Sequence, residues 1–361
     1  MAGEPKKILI IKPSALGDIV PALPAITVLK RSFPQARISW LIRPEYAELL
    51  RGHPDLDEVI LFDRRLLGKS WYSPRAFAEL LRLMRRLREG WFDLVFDFQG
   101  LFRTGFLGWV SGSNKRFGMM QAREFSHFFY THKIPQDYSC VHLVDYYLQM
   151  VAAAGAQKGI PEFKLPEDAA ANEAVKKLLA GQGVRPGNYA VLVPGAAREN
   201  KRWPIERFAK LAERIGSQSG WSIVATGSEE EKGYIDTLRN IAGVGIVNLA
   251  GQTSIAELIA LLRGASLVVS NDTGPGHIAA ALGVPIVMIF GPTNPMRVCP
   301  YNRPECALAI EPDKRGLKAD SYDPKHDIRH ITVEQVFENV RQQMENPNCH
   351  PERSEGSGQE K

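Results

Sequence analysis

Along the chain, short runs of β-branched and aliphatic residues alternate with stretches whose apolar positions recur at helical spacing. The runs are ILII at 8–11, RISWLI at 37–42, EVILF at 58–62 and DLVFDF at 93–98, with a helix after Asp18 and a long one near 74–89 between them. Such alternation specifies βαβ units and a parallel sheet. Residues 156–187 break the rhythm with GIPEFKLPED, one Ala/Lys-rich helix and GQGVRPGN, which read as a linker. The pattern then starts again in YAVLVP, WSIVATG, GIVNLAG, SLVVSND and PIVMIFG, with helices through Phe208 and Leu211, after Glu231, and through Leu258 and Leu262. The expected organisation is a first Rossmann-like domain over 1–160, a linker over 161–187 and a second Rossmann-like domain over 188–331. An amphipathic helix at 332–345 follows, then a polar tail at 346–361 with no apolar face to bury, expected to be disordered.

Composition agrees with this layout and removes other classes. A length of 361 residues suits two domains, and 44% hydrophobic with 24% charged residues predicts packed cores. The longest apolar candidate, Ala265 to Phe290, is interrupted by Asp272 and His277, and Ile8 to Ile11 is too short for a signal peptide. Cys140, Cys299, Cys306 and Cys349 show no CxxC spacing, so neither a zinc ribbon nor a disulfide framework is expected, and a cytoplasmic setting is. The net charge of +5 is too slight to imply nucleic acid, yet it is uneven. Residues 1–155 hold 21 Lys/Arg against 15 Asp/Glu, whereas the remainder holds 24 against 25. The first half is therefore expected to meet something anionic.

Ligands of open parallel sheets bind at the carboxyl ends of the strands, so the loops there are where chemistry is sought. The first strand runs into Lys12-Pro13-Ser14-Ala15-Leu16-Gly17-Asp18, where Gly17 admits close approach and Asp18 reads equally as a helix-capping carboxylate or a reactive one. Ser270-Asn271-Asp272-Thr273-Gly274-Pro275-Gly276-His277 joins an apolar strand to an Ala-rich helix, a helix N-terminus suited to phosphate, with Asp272 and His277 beside it. After YAVLV, Lys201 offers a mobile point charge for phosphate. Glu229, Glu230 and Glu231 follow WSIVATG, where an acid holds ribose or merely pairs with the helix dipole. Arg64, Arg65 and Lys69 follow the third strand and suit an anionic substrate; the basic stripe that continues from Arg82 to Arg88 reads first as the solvated face of an amphipathic helix, and suits an anionic bilayer surface as well. Gly68-Lys69-Ser70 lacks the first glycine of a phosphate-cradling loop, Asp55-Leu56-Asp57 lies on a connector, and no GxGxxG opens either half.

Taken together, SALGD, NKRWP, NLAGQT and SNDTGPGHIAAALGVPIVMIFGPT resemble the ADP-heptose:lipopolysaccharide heptosyltransferases of glycosyltransferase family 9, over about residues 7–345. Asp97-Phe98-Gln99-Gly100-Leu101-Phe102-Arg103, then Gln121-Ala122-Arg123-Glu124 and SHFFYTHKI, resemble the heptosyltransferase I branch. The resemblance implies an α/β GT-B architecture of two facing Rossmann-like domains with parallel sheets, the C-terminal helix returning to the first domain. It implies inverting transfer of L-glycero-D-manno-heptose from ADP-heptose to the Kdo of Kdo–lipid A, with no cofactor and no obligatory metal. Asp18 matches the catalytic base. Lys201 matches the lysine on the donor phosphates, Asp272 a residue on the heptose, and Thr273, Gly274 and His277 the diphosphate site. Glu229 matches the nucleoside-binding acid, a role that a local gap would move to Glu230 or Glu231, and Thr253 lies by the adenine position. Ser14, Gly17, Arg64, Arg65, Lys69, Gln99 and Arg123 match the acceptor side. Ala196-Ala197 departs from the hydroxyl side chains found there. The implied protein is a monomer without nucleic-acid partners, peripheral to the cytoplasmic face of the inner membrane. The alternatives are heptosyltransferase II or another GT-B transferase with a different acceptor, and a nucleotide-sugar epimerase.

Overall fold

A computed structural model describes residues 4–157 and 159–345; the tail expected to be disordered, 346–361, lies outside the described residues. The chain divides into two units with the boundary in sequence between Pro166 and Glu167. The first contains β1 (Lys7–Ile11), α1 (Leu16–Ile19), α2 (Leu23–Ser32), β2 (Arg37–Ile42), β3 (Glu58–Leu61), α3 (Arg64–Leu67), α4 (Pro74–Glu89), β4 (Leu94–Asp97), α5 (Phe102–Val110), β5 (Arg116–Met119), β6 (His132–Ile134) and α6 (Leu143–Ala152). Its six strands are all parallel, in the order β3-β2-β1-β4-β5-β6. Ile8 stands opposite both Ile38 and Leu94. Ile8 to Ile11 are completely buried, which explains why β1 is an unbroken apolar run: helices cover both sheet faces. One side of the core joins Leu9, Ile11, Leu41 and Val95 to Leu83 and Leu87 of α4 and Leu107 of α5. Burying each such side chain contributes roughly 1.5–3 kcal/mol.

The second unit contains α7 (Ala169–Gly181), β7 (Tyr189–Val193), α8 (Ile205–Ser219), β8 (Ser222–Ala225), α9 (Lys232–Ile241), β9 (Ile246–Asn248), α10 (Ile255–Arg263), β10 (Leu267–Asn271), α11 (Gly274–Ala281), β11 (Ile286–Ile289), α12 (Pro295–Val298), β12 (Ala307–Leu308) and α13 (Val333–Glu345). Its order, β12-β11-β10-β7-β8-β9, is the same winding as the first. Each sheet starts at its middle, winds one way for three strands and then reverses, so the crevice between β1 and β4, and that between β7 and β10, is the topological switch point.

Two expectations change. The C-terminal helix does not return to the first domain: Val333, Val336 and Val340 of α13 are buried in the second core with Phe208, Leu211 and Ile289. The span expected as a linker, 161–187, is divided between the units, and the Ala/Lys-rich helix expected within it is α7, which Asp168 caps by accepting the N–H groups of Ala170 and Ala171 and which packs on α10. The preceding residues belong to the first unit, where Glu162 pairs with Arg31 and Lys164 with Asp55 at 2.7 Å. Hydrophobic patterning identified α13 as amphipathic without revealing which core its stripe would join.

Between β12 and α13 the chain has little regular structure, yet it is tied down. The buried Arg315 guanidinium donates to the carbonyls of Gly291 (2.7 Å), Thr293 (2.6 Å) and Ile310 (2.8 Å). Asn294 adds bonds from its side-chain amide to the carbonyls of Gly316 and Lys318, at 2.8 and 3.0 Å. Among the described residues no helix is long and apolar enough to cross a membrane.

Candidate functional site

At the first switch point, the loops after β1 and β4 meet. The Ser14 N–H donates to Oε1 of Gln99 at 3.4 Å, so two of the sequence-predicted acceptor residues are neighbours. Gly17 and Asp18 lie in α1, and Asp18 is exposed, with Oδ2 accepting the N–H of Ala15 at 3.3 Å. The Asp18 carboxylate therefore caps its own helix turn and still faces solvent, so the two readings of its role are compatible. Asp97, at the end of β4, is 1% exposed and shapes the second loop: it accepts the N–H groups of Gln99 (2.9 Å) and Gly100 (3.1 Å) and the hydroxyl of Tyr130 (2.7 Å). Burial raises the Asp97 carboxyl above its usual range, against the pull of these bonds. Gly100 has φ +68°, and its carbonyl accepts the N–H of Arg123 at 3.0 Å, which brings the exposed Arg123 beside Gln99.

Arg64, Arg65 and Lys69 lie on and just after α3, exposed and, among the described residues, without ion pairs. No hydrogen bond joins them to the Ser14 loop among the described residues. Arg43, after β2, bridges the gap: its N–H donates to the Pro13 carbonyl at 3.3 Å, and its guanidinium pairs with Glu45 at 2.5 Å. Burial would raise the Glu45 carboxyl, but Arg43 and, more weakly, Arg65 lower it. Arg43 is not among the residues picked out from sequence, and Asp97 is there only as the head of the Asp97–Arg103 stretch, with no site role given to it. Asp97 carried a usable signal, an acid inside the otherwise apolar DLVFDF; Arg43 carried none beyond following a strand.

The second switch point is built differently. Lys201 Nζ lies 2.6 Å from Oδ2 of Asp272, and His277 Nε2 lies 3.1 Å from Oδ1. The side chains of Asp272 and His277 are 5% and 8% exposed. Burial alone would raise the Asp272 carboxyl, yet the His277 bond and the Lys201 charge outweigh it and hold the group well below the usual carboxylate range. Asn271 locks the two loops together, donating to the Pro194 carbonyl at 2.7 Å and accepting the Trp203 N–H at 3.2 Å. α11 begins at Gly274 with Thr273 at its cap position, and no side chain caps it, which leaves first-turn N–H groups open to an anion. At Gly276 an added Cβ would lie 2.7 Å from Ser270 Oγ, so glycine is what lets this helix end sit on β10.

Glu229 and Glu231 separate in role. Glu231 turns back to accept the Ser228 N–H at 2.9 Å, whereas Glu229 stays exposed and its carboxylate lies over Gly251, two residues before Thr253. Arg198 was not singled out from sequence; it makes a bidentate pair with Asp320, at 2.9 and 3.1 Å, within electrostatic reach of Asp272.

With both mouths described, comparison with known proteins is decisive. The family model for glycosyltransferase family 9 (heptosyltransferase) matches residues 80–324. The chain belongs to glycosyltransferase family 9. This family 9 glycosyltransferase is 32% identical to lipopolysaccharide heptosyltransferase 1 of Pseudomonas aeruginosa, over 90% of each chain. It is 28% identical to the Salmonella typhimurium protein of that name, over 83% of this chain and 93% of the relative. In three dimensions it resembles Escherichia coli heptosyltransferase WaaC with ADP-2-deoxy-2-fluoro heptose, a GT-B protein, at a TM-score of 0.72 and 24% identity, over 93% of this chain and 99% of the other. A family 9 transferase from Veillonella parvula superposes at a TM-score of 0.78 with 22% identity, over 94% and 97% of the two chains. The fold is thus GT-B, and the chain is a glycosyltransferase.

Proposed function

We propose that this glycosyltransferase builds the lipopolysaccharide core by moving a heptose from ADP-heptose to the Kdo of Kdo–lipid A, with inversion. One observation carries the reading: a solvent-facing carboxylate, Asp18, stands at one switch point, and an uncapped helix N-terminus with Lys201 stands at the other. The lipopolysaccharide heptosyltransferase 1 relatives support heptosyl transfer, and the ADP-sugar in the WaaC structure supports the donor.

In this mechanism Asp18 accepts the proton of the attacking Kdo hydroxyl as its oxygen bonds to the anomeric carbon and the bond to the diphosphate breaks. General-base assistance of this kind is worth about 10²–10⁴ in rate. Negative charge grows on departing ADP, where the N–H groups at Thr273 and Gly274, with Lys201 and His277, meet it; these donors are fixed in advance by Asp272 and Asn271. Asp272 contacts the heptose, Glu229 the ribose, and Thr253 the adenine. Arg64, Arg65, Lys69 and Arg123 take the carboxylate and phosphates of the acceptor, with Ser14, Gly17 and Gln99 lining its sugar. The lipid-linked acceptor sets the protein at the cytoplasmic face of the inner membrane.

The test incubates the protein with ADP-heptose and Kdo–lipid A in EDTA and reads ADP release and acceptor mass. The expected product is heavier by one heptose. ADP release that does not depend on the acceptor, or inactivity with every nucleotide sugar tried, removes the assignment.

A further inference from the structure

Thirteen of the sixteen large hydrophobic side chains left exposed among the described residues belong to the first unit. Most of these fall on one continuous layer, in which α3 packs on α4, α4 on α5, and α5 on the short helix Ser126–Phe129. Trp71 is 84% exposed and stands edge-on to Tyr72, 57% exposed, with ring centroids 4.7 Å apart. One helical turn onward, Phe77 and Leu81 share a face of α4 at 50% and 48% exposure. Phe125 and Phe128, both 72% exposed, stack at 6.4 Å at the far end of the layer. Monomeric soluble surfaces rarely carry contiguous aromatic area of this kind without a use for it.

The charges around it are predominantly positive. Residues 64–128 contain twelve Lys/Arg against five Asp/Glu. Of the acids, Glu79 and Glu89 are taken up by Arg82 and Arg85, Asp97 is buried, Asp93 accepts the N–H groups of Lys6 and Lys7, and Glu124, beside Phe125, accepts that of Phe102. Among the described residues Arg75, Arg103 and Arg123 make no ion pair, like Arg64, Arg65 and Lys69. Aromatic rings with an amphipathic edge, interleaved with unneutralised cations, complement a membrane interface rich in anionic headgroups. A second copy of the same surface would bring like charges together, which disfavours a symmetric dimer here.

We infer that the layer from α3 to Phe129 is a bilayer-docking surface for anionic phospholipid, with Trp71 and Tyr72 as its inserting tip. The inference rests on the lipid-acceptor reading for its purpose and not for its physics, because headgroup charge and ring burial need no sugar acceptor. It names a surface outside the reacting groups, since neither Trp71, Tyr72, Phe125 nor Phe128 is assigned a part in catalysis.

The test sediments the full chain with vesicles of phosphatidylethanolamine and phosphatidylglycerol, and with vesicles of phosphatidylcholine alone. Binding is expected only to the anionic vesicles and is expected to weaken as salt approaches 1 M. Trp71→Ser/Tyr72→Ser lowers the partition coefficient on the order of tenfold, and Phe125→Ser/Phe128→Ser lowers it severalfold. Both pairs are exposed, so the melting temperature and far-ultraviolet circular dichroism stay as in the wild type. Equal binding to neutral vesicles, wild-type partitioning of both variants, or lipid-free dimerisation abolished by these substitutions overturns the inference. If the acceptor reading alone is wrong, Kdo–lipid A is not glycosylated while the vesicle results stand.

Discussion

The two units wind their sheets identically and use the result in opposite ways. In the second, the charges at the switch point are inside: Asp272, Lys201 and His277 satisfy one another under cover of protein. In the first, the cations at the strand ends, Arg64, Arg65 and Lys69, are exposed and form no ion pair among the described residues, Arg65 acting on Glu45 only at a distance. A paired, buried cluster keeps its geometry before any ligand arrives, as the diphosphate site proposed there requires. An exposed cluster keeps its charge available, as the anionic acceptor proposed for the first unit requires. The same backbone order thus fixes where a ligand binds, and the loops decide whether the site is rigid or receptive.

The comparison can be broken at its strongest point first. Asp18→Asn is expected to lower turnover about 10²–10⁴-fold while ADP affinity, measured by calorimetry, stays within a few-fold. Next, one substitution made in both mouths separates them. Lys201→Met strands the buried Asp272 carboxylate and should cost about 3 kcal/mol in urea unfolding, whereas Arg65→Met should cost under about 0.5 kcal/mol. Adding Asp272→Leu to Lys201→Met should recover part of the loss, because the stranded charge goes with it.

Acid should weaken the first unit through a group remote from its mouth. His53 is 3% exposed and its pKa is pushed down to about 4 by burial, with the opposing pull of Asp55 too weak to prevent it. The unfolded chain takes up this proton near pH 6.5 and the folded one only near 4, so stability is full above pH 6.5 and falls as the pH drops through that window. The loss is about 3 kcal/mol at the bottom of the window, and His53→Gln should flatten this part of the stability–pH curve. The Asp272 contribution has the same sign but is lost only at pH values below the ordinary carboxylate range. The smallest effect is expected of Arg123→Gln, which should raise the acceptor KM about tenfold, leave the donor KM unchanged and leave the melting temperature where it was.

Much of this was legible in the sequence, for reasons visible in particular residues. Ile8 to Ile11 and Leu267 to Val269 read as central strands because burial on both faces demands continuous apolar runs. The short strands β5, β6 and β12, written RFGM, HKI and AL, carry no apolar run of the kind that marks the central strands; β6 and β12 are edges, which need none, and β5 is only four residues long beside the β6 edge. Lys201, Asp272 and His277 were each nameable from local motif, but that Lys201 and His277 share one carboxylate depends on β7 and β10 being neighbours, a property of winding. Arg43 and Asp97 went unread as site residues because their importance lies in what they hold, a neighbouring loop, rather than in chemistry of their own. The docking of α13 was misplaced because an apolar stripe records that a helix is buried and not against what.

The clamp around Arg315 has a consequence for how the chain tolerates change. Residues 309–332 look like a long surface connector, the sort of place where an affinity tag, a fluorescent insert or a protease site is routinely put. A single guanidinium there gathers three carbonyls from two stretches of chain, so it behaves as a rivet through the second unit. The segment is better regarded as core that happens to lack helix or strand, and an insertion between Ile310 and Ser321 should act on folding as a deletion within a strand would.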